Sequence, residues 1–190
     1  MAREKAQDKY RAILDAAVTV FAERGFWDTP TSLISRTAGV ADGTLFNYFK
    51  SKDDLINEVY IDTKRELAKF LLEGIEAHTS VKEQLQHVWN RYIQWGVEYP
   101  EQFRVLQQIG MFYQVTEAAQ AQANEPFADF KQMIGEADAA GKFQHYPMDY
   151  LAALMDSQAI MTIRLAAGNP DKLAEFQKIG FDILWNGVTR

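Results

Sequence analysis

Ile34-Ser35-Arg36-Thr37-Ala38-Gly39-Val40-Ala41-Asp42-Gly43-Thr44-Leu45-Phe46-Asn47-Tyr48-Phe49 has the grammar of two short helices meeting at a tight turn. Ala38 is small enough for the helices to cross closely, Gly39 supplies the turn, and Val40 tucks into the crossing. Leu45 and Phe49 stand four residues apart, on one face of the second helix, and that face can pack inward. Gly43, Thr44, Asn47 and Tyr48 are then left largely outward. A helix with small and polar groups at its N-terminal end suits entry into a DNA major groove, about 12 Å wide. Short helix–turn–helix pairs also occur in helical enzymes, so the flanking sequence has to decide.

Apolar residues recur at three- and four-residue spacing almost throughout the chain, and the alternation expected of half-buried strands is missing. The five prolines, at 30, 100, 126, 147 and 170, fall where these periodic runs begin or end. A first helix is expected from about Asp8 to Arg24, with Ile13, Ala17, Val20 and Phe21 inward and Gly25 closing it. Thr29 is expected to cap a second helix, with Pro30 at its first position and its end at Gly39. A third spans Asp42 to Tyr48. A fourth opens at Ser51, where Ser51-Lys52-Asp53-Asp54 reads as a capping-box variant, and extends to about Ala77. Helices near 80–98, 101–114, 117–140, 148–167 and 171–187 complete an all-α fold of about nine helices. No Gly/Ser/Pro-rich linker lies near residue 52, so a shared helix is expected to join a domain over 1–52 to one over 53–190.

With 47 % hydrophobic and 24 % charged residues, the composition is that of a globular protein and excludes a disordered chain. The absence of cysteine excludes disulfide scaffolds, thiolate zinc sites and cysteine nucleophiles. No stretch approaches about 20 uninterrupted apolar residues, and Met1-Ala2-Arg3-Glu4-Lys5 lacks the apolar region of a signal peptide. A soluble cytoplasmic protein with no membrane partner is expected. The net charge of −6 argues against a nucleic-acid partner until its distribution is considered. Residues 1–52 hold eight Lys/Arg against six Asp/Glu, and residues 53–190 hold twelve against twenty. The two parts carry +2 and −8, so the N-terminal part is the one that tolerates DNA.

From Ile13 to Leu55 the chain resembles the DNA-binding domain of the tetracycline-repressor (TetR) family of bacterial regulators. The matching residues are Ile13-Leu14-Asp15-Ala16-Ala17, Phe21-Ala22-Glu23-Arg24-Gly25-Phe26, Thr29, Ile34 and Ala38-Gly39-Val40. They continue through Gly43-Thr44-Leu45-Phe46, Tyr48-Phe49 and Ser51-Lys52-Asp53-Asp54-Leu55. The resemblance implies a homodimer whose two third helices enter successive major-groove segments of a palindromic operator in double-stranded DNA. By position it implies phosphate contacts at Thr31, Thr44, Tyr48 and Lys52, and places Ser32, Gly43, Phe46 and Asn47 near base edges. Lys52, in the first turn of a helix, makes a good phosphate seat. Asn47 can bond an adenine edge bidentately, and Phe46 can meet a thymine methyl or pack in the core. Arg36 reads as a phosphate ligand or a solvated helix residue. Arg3, Lys5, Lys9 and Arg11 read as an arm reaching DNA or as a solvated terminus. Asp42 departs from the pattern, because a carboxylate near phosphates costs affinity. It either stabilises the helix N-terminus or accepts from a cytosine amino group. Pro30 replaces a common Ser/Thr, so Thr29 or Thr31 is expected to supply the missing hydroxyl.

The remainder of the chain is rich in aromatics at helical spacing. Val81, Leu85, Val88, Trp89, Tyr92 and Gly96 form one stripe, and Phe103, Leu106, Gln107, Gly110 and Tyr113 share another face. Such stripes are either plain core or the wall of a ligand cavity. Gly96 and Gly110 sit in helix interiors and leave space there, while Trp89, Tyr92 and Tyr113 need hydrogen-bond partners if buried. The candidate ligand-binding residues are Trp89, Tyr92, Gly96, Phe103, Gln107, Gly110, Tyr113, Phe130 and Ile134. The resemblance places the cavity among these helices. The effector they imply is small and largely apolar, aromatic or acyl. Residues 148–187 are apolar around more than one side, which calls for cover by a second copy through a four-helix interface or for full burial within one chain.

Enzyme chemistry finds little support. His78, His87 and His145 are spread too far apart for a familiar metal-binding spacing, and no glycine-rich phosphate loop or nucleophile elbow is present. The sequence therefore predicts no metal, no cofactor and no catalytic residue. It predicts a homodimeric, ligand-responsive transcriptional regulator, a repressor released from its operator by the effector. The alternative is a helical small-molecule-binding dimer without DNA-binding activity.

Overall fold

The computed structural model describes residues 2–113, 115–144 and 146–189, with side chains from residue 6 onward except that of residue 112. The helices run in the order α1 (Ala2–Arg24), α2 (Thr31–Thr37), α3 (Asp42–Tyr48), α4 (Lys52–Leu72), α5 (Val81–Glu98) and α6 (Pro100–Phe112). They continue with α7 (Glu117–Asn124), α8 (Ala128–Ala139), α9 (Met148–Ala167) and α10 (Leu173–Val188). Short 3-10 turns occupy Ile75–Ala77, Glu125–Phe127 and Pro170–Lys172. Among the described residues the only extended pairing is an isolated antiparallel bridge between Phe143 and Thr189. The all-α expectation holds. The chain divides into two compact units, one of Met1–Arg65 with Pro100–Glu125 and one of Glu66–Tyr99 with Pro126–Arg190.

In the first unit, Ile13, Ala17 and Phe21 of α1 are fully buried against Ile34, Leu45, Leu55 and Val59 in one apolar core. Gly25 takes φ +77° immediately after α1, where a side chain would be strained. The residues after it correct the expected cap. Thr29 is buried and its hydroxyl donates to the Gly25 carbonyl at 2.7 Å, so it closes the end of α1. Pro30 stands at the N-cap of α2, with no side-chain capping bond. The turn between α2 and α3 behaves as expected: Gly39 adopts φ +66° and Val40 N–H donates to the Ser35 carbonyl at 3.0 Å. Ser51 caps α4 by accepting the Asp54 N–H at 3.0 Å. Helix α6 is fixed to α1 by Thr19 donating to Glu101 at 2.9 Å and by Arg104 donating to the Ala22 carbonyl at 3.2 Å.

The second unit is built on α5, α9 and α10. Ser80 and Glu83 form a capping box at the start of α5. The space that Gly96 was expected to leave is filled, because a Cβ there would stand 2.5 Å from the Ile163 side chain. Gly180 allows a similar approach, with Trp89 2.6 Å from where its Cβ would lie. These glycines are contact points for close helix packing. The helix expected over 117–140 is two helices, because Pro126 carries no N–H and interrupts the ladder at the 3-10 turn.

Gly96→Ala should destabilise the protein by roughly 1–3 kcal/mol through overpacking against Ile163. A Cβ at Gly110 meets nothing within 4 Å, so Gly110→Ala should be neutral or stabilise by up to about 1 kcal/mol through helix propensity. Chemical denaturation of the two variants checks this. Equal stability changes would contradict the packing assigned to Gly96.

Candidate nucleic-acid interface and effector cleft

Helix α3 has one buried side chain, Leu45, and presents the rest outward or at the margin. Gly43, Phe46 and Asn47 are exposed, with Thr44 and Tyr48 half-buried. Ser32 is exposed and Thr31 half-buried at the start of α2, and Lys52 is half-buried as the first residue of α4. Phe46 retains 46 % exposure, which separates it from the core it was weighed for. Gly43 is informative because nothing inside the molecule requires it. Its φ is not positive, and a Cβ would meet no atom within 4 Å. Glycine in a helix weakens it by about 1 kcal/mol relative to alanine, so bare backbone here faces outward at a cost to the fold.

An aromatic group holds α3 from behind. Tyr10 stacks on Phe49 at 5.6 Å, meets Tyr48 edge-on at 6.0 Å, and donates to Glu58 at 2.6 Å. Burial, then the Glu58 carboxylate, push the Tyr10 phenol well above its ordinary range, so it stays a donor. The Tyr48 hydroxyl donates to the Ala6 carbonyl at 2.8 Å, which commits the proton that a phosphate would need. Thr29, buried and bonded to Gly25, cannot supply the hydroxyl missing at Pro30, which leaves Thr31. Arg11 is ion-paired with Asp15 at 2.9 Å and Asp62 at 2.8 Å, so it is not part of a free arm. Lys9 is exposed, while the side chains of Arg3 and Lys5 lie outside the described residues. Arg36 is exposed, and Asp42 is exposed in the first turn of α3.

The candidate ligand residues fall into two groups. Phe103, Gln107, Gly110 and Tyr113 belong to the first unit, and Trp89, Tyr92, Gly96, Phe130 and Ile134 to the second. Gly110 and Tyr113 line an open cleft of about 490 Å³, together with Tyr60, Ile109, Val115 and Gln120. Pockets of about 300–1,000 Å³ are the usual size for small ligands. Burial, followed by a hydrogen bond with Asp53, pushes Tyr113 up to about 12. Phe103 and Gln107 are half-buried on the same helix but do not line that cleft. In the second unit Trp89 is core: it is 1 % exposed and its indole N–H donates to the Gln177 carbonyl at 2.9 Å. Tyr92 donates to Asp156 at 3.2 Å, and burial raises its phenol far above the ordinary range. Phe130 and Ile134 are half-buried on α8. Tyr60, Val115 and Gln120 escaped the sequence analysis. Tyr60 follows the buried Ile56 by one turn of α4, a spacing that was available as a signal. The histidine expectation also needs correction, since His78 and His87 meet at 3.2 Å. His145 lies outside the described residues.

Residues 13–59 match the family described as bacterial regulatory proteins, tetR family. The chain is 35 % identical to the fatty acid metabolism regulator protein of Bacillus subtilis (strain 168) over 89 residues, 47 % of this chain and 46 % of that protein. The matched stretch therefore spans less than half the length of that relative. Among solved structures, a TetR family transcription regulator from Marinobacter aquaeolei VT8 superposes with a TM-score of 0.90 at 22 % identity, covering 98 % of each chain. The transcriptional regulator FadR from Bacillus subtilis, in complex with stearoyl-CoA, superposes with a TM-score of 0.69 at 21 % identity, covering 94 % of this chain and 98 % of that one. These two likenesses carry the fold.

Tyr48→Phe should cost about 0.5–1.5 kcal/mol of folding stability through loss of the Ala6 bond. A urea titration checks this, and an unchanged midpoint would free the Tyr48 hydroxyl for an external partner.

Proposed function

This chain belongs to the TetR family of bacterial regulatory proteins, and from that premise we propose a cytoplasmic homodimeric repressor, released from a palindromic operator by a small, largely apolar or acyl effector. The outward face of α3 carries this reading: Leu45 is buried while Gly43, Phe46 and Asn47 are bare to the outside. Asn47 and Phe46 are assigned to base edges, with Ser32 beside them and the open backbone at Gly43 allowing close approach. Thr31, Thr44 and Lys52 are assigned to phosphates, and Tyr48 joins them by exchanging the Ala6 carbonyl for a phosphate oxygen.

The dimer is assigned to α9 and α10. Their inner faces bury Leu151, Ala159, Ile163, Phe181 and Leu184. Their outer faces leave Tyr150, Leu154, Met161, Leu165, Ile179 and Ile183 exposed, with Met161 at 51 % and Ile183 at 60 %. Apolar side chains repeated along two adjacent helices suit the four-helix contact of a twofold dimer.

The effector is assigned to the cleft beside Gly110 and Tyr113. The acyl class is supported by the stearoyl-CoA in the FadR structure. Tyr60 belongs to α4, and Tyr113 is bonded to Asp53 in the first turn of that helix, next to Lys52. A ligand that moves these tyrosines acts directly on the helix that follows the DNA-reading pair. Release requires the effector to bind the DNA-incompetent conformer more tightly than the competent one. Asp42, exposed on the DNA face, favours the second reading, a ligand-binding dimer without DNA.

Lys52→Ala should weaken binding on every DNA sequence and reduce the salt slope by about 1, whereas Asn47→Ala should relax preference at one base position per half-site by about 1–3 kcal/mol. Fluorescence anisotropy on a panel of single-base variants measures both. Uniform losses for Asn47→Ala would remove it from the base-reading set. Ile183→Glu should convert the dimer to a folded monomer in sedimentation velocity, and a persistent dimer would move the interface elsewhere.

A further inference from the structure

We propose that His78 and His87 form a two-imidazole site for a divalent first-row transition ion of the zinc class, where the chain passes from the end of α4 into α5. The inference stands apart from the DNA and effector assignments, since every group involved lies in residues 71–91. His78 Nε2 and His87 Nδ1 are 3.2 Å apart. Two imidazole nitrogens bound to one tetrahedral ion at Zn–N bonds of about 2.0–2.1 Å stand roughly 3.3–3.4 Å apart, so an ion enters with little movement of either ring.

The surroundings favour the ligand form of His87. Its Nε2 is buried without a hydrogen bond, and the ring lies beside the backbone carbonyls of Glu73 and Leu71. In the tautomer that carries its proton on Nε2, His87 keeps the Nδ1 lone pair on the side of His78. His78 is positioned through its own backbone, whose carbonyl accepts from the Gln84 amide at 2.8 Å. It needs only to shift its proton to Nδ1 to present a second lone pair.

The nearby charges set the strength of the site. Glu73 is paired with Arg91 at 2.7 Å, and Glu83 is held by Ser80 in the capping box, so neither carboxylate is poised as a third ligand. Among the described residues no group of three or more metal-binding side chains is assembled. Water therefore completes the coordination shell. Arg91 adds a positive charge that opposes the ion, and Glu83 a negative one that offsets it. Binding ties His78, just after the Ile75–Ala77 turn, to His87 on α5.

The test is equilibrium dialysis of the full chain against Zn²⁺, paired with thermal melts. One ion per chain is expected, with a Tm that rises with Zn²⁺ concentration. Affinity should fall as pH drops through the imidazole range, approaching about a hundredfold per pH unit below it, because two protons compete for the two lone pairs. His78→Asn and His87→Asn should each lower affinity by at least about tenfold. Circular dichroism confirms that each variant is folded. If His87→Asn is not folded, His78→Asn decides alone. No binding at millimolar Zn²⁺, or binding undiminished by His78→Asn, would overturn the site and leave a hydrogen bond between two imidazoles.

Discussion

Burial of Leu45 controls what α3 offers to the outside. The side chain is fully enclosed by an apolar core that also takes Ile13, Phe21, Ile34 and Leu55. Because residues one and two places away on a helix cannot share that face, its burial turns Gly43, Phe46 and Asn47 outward. Ser51 then restarts the chain as α4 within a few residues, which fixes Lys52 at the edge of the same surface. The Tyr10 cluster braces this arrangement, with one phenol in contact with Tyr48, Phe49 and Glu58. A substitution that emptied the Leu45 pocket would cost stability and misplace the exposed face of α3 together.

The same dependence explains why Gly43 and Gly96 differ in meaning. Glycine at 96 is demanded from inside, by Ile163 lying where a Cβ would be. Glycine at 43 is demanded by nothing within the chain, since a Cβ there would meet open space. Sequence alone presents both as glycines in helices. Only the identity of the facing atom tells a packing contact from an open position.

Legibility in the sequence followed the range of the interaction responsible. Local and periodic features came through: the Gly39 turn, the Ser51 cap, the inward stripe of α1, and the helical class. Features set by distant partners did not. Thr29 has the composition of an N-cap, but burial turned its hydroxyl back to Gly25. Trp89 and Gly96 lie on an aromatic stripe that reads equally as cavity wall or core, and Gln177 and Ile163 decided for core. His78 and His87 looked remote because nine residues separate them, yet the chain turns at Thr79 and Ser80 into α5, and Gln84 bonds back to the His78 carbonyl, which brings the two rings together. The cleft shows the same limit. Gly110 and Tyr113 were identified from their own helix, whereas Tyr60 and Gln120 come from other helices.

The exposed face of α3 is proposed to read DNA sequence. Selection of bound fragments from random and genomic DNA at near-physiological salt, followed by a salt titration of the most enriched sequence, is the decisive measurement. An enriched palindrome is expected, bound about 10³–10⁷ times more tightly than random DNA. Weak binding that ignores sequence and disappears as salt is raised would contradict it, and Asp42 would be the first residue to replace.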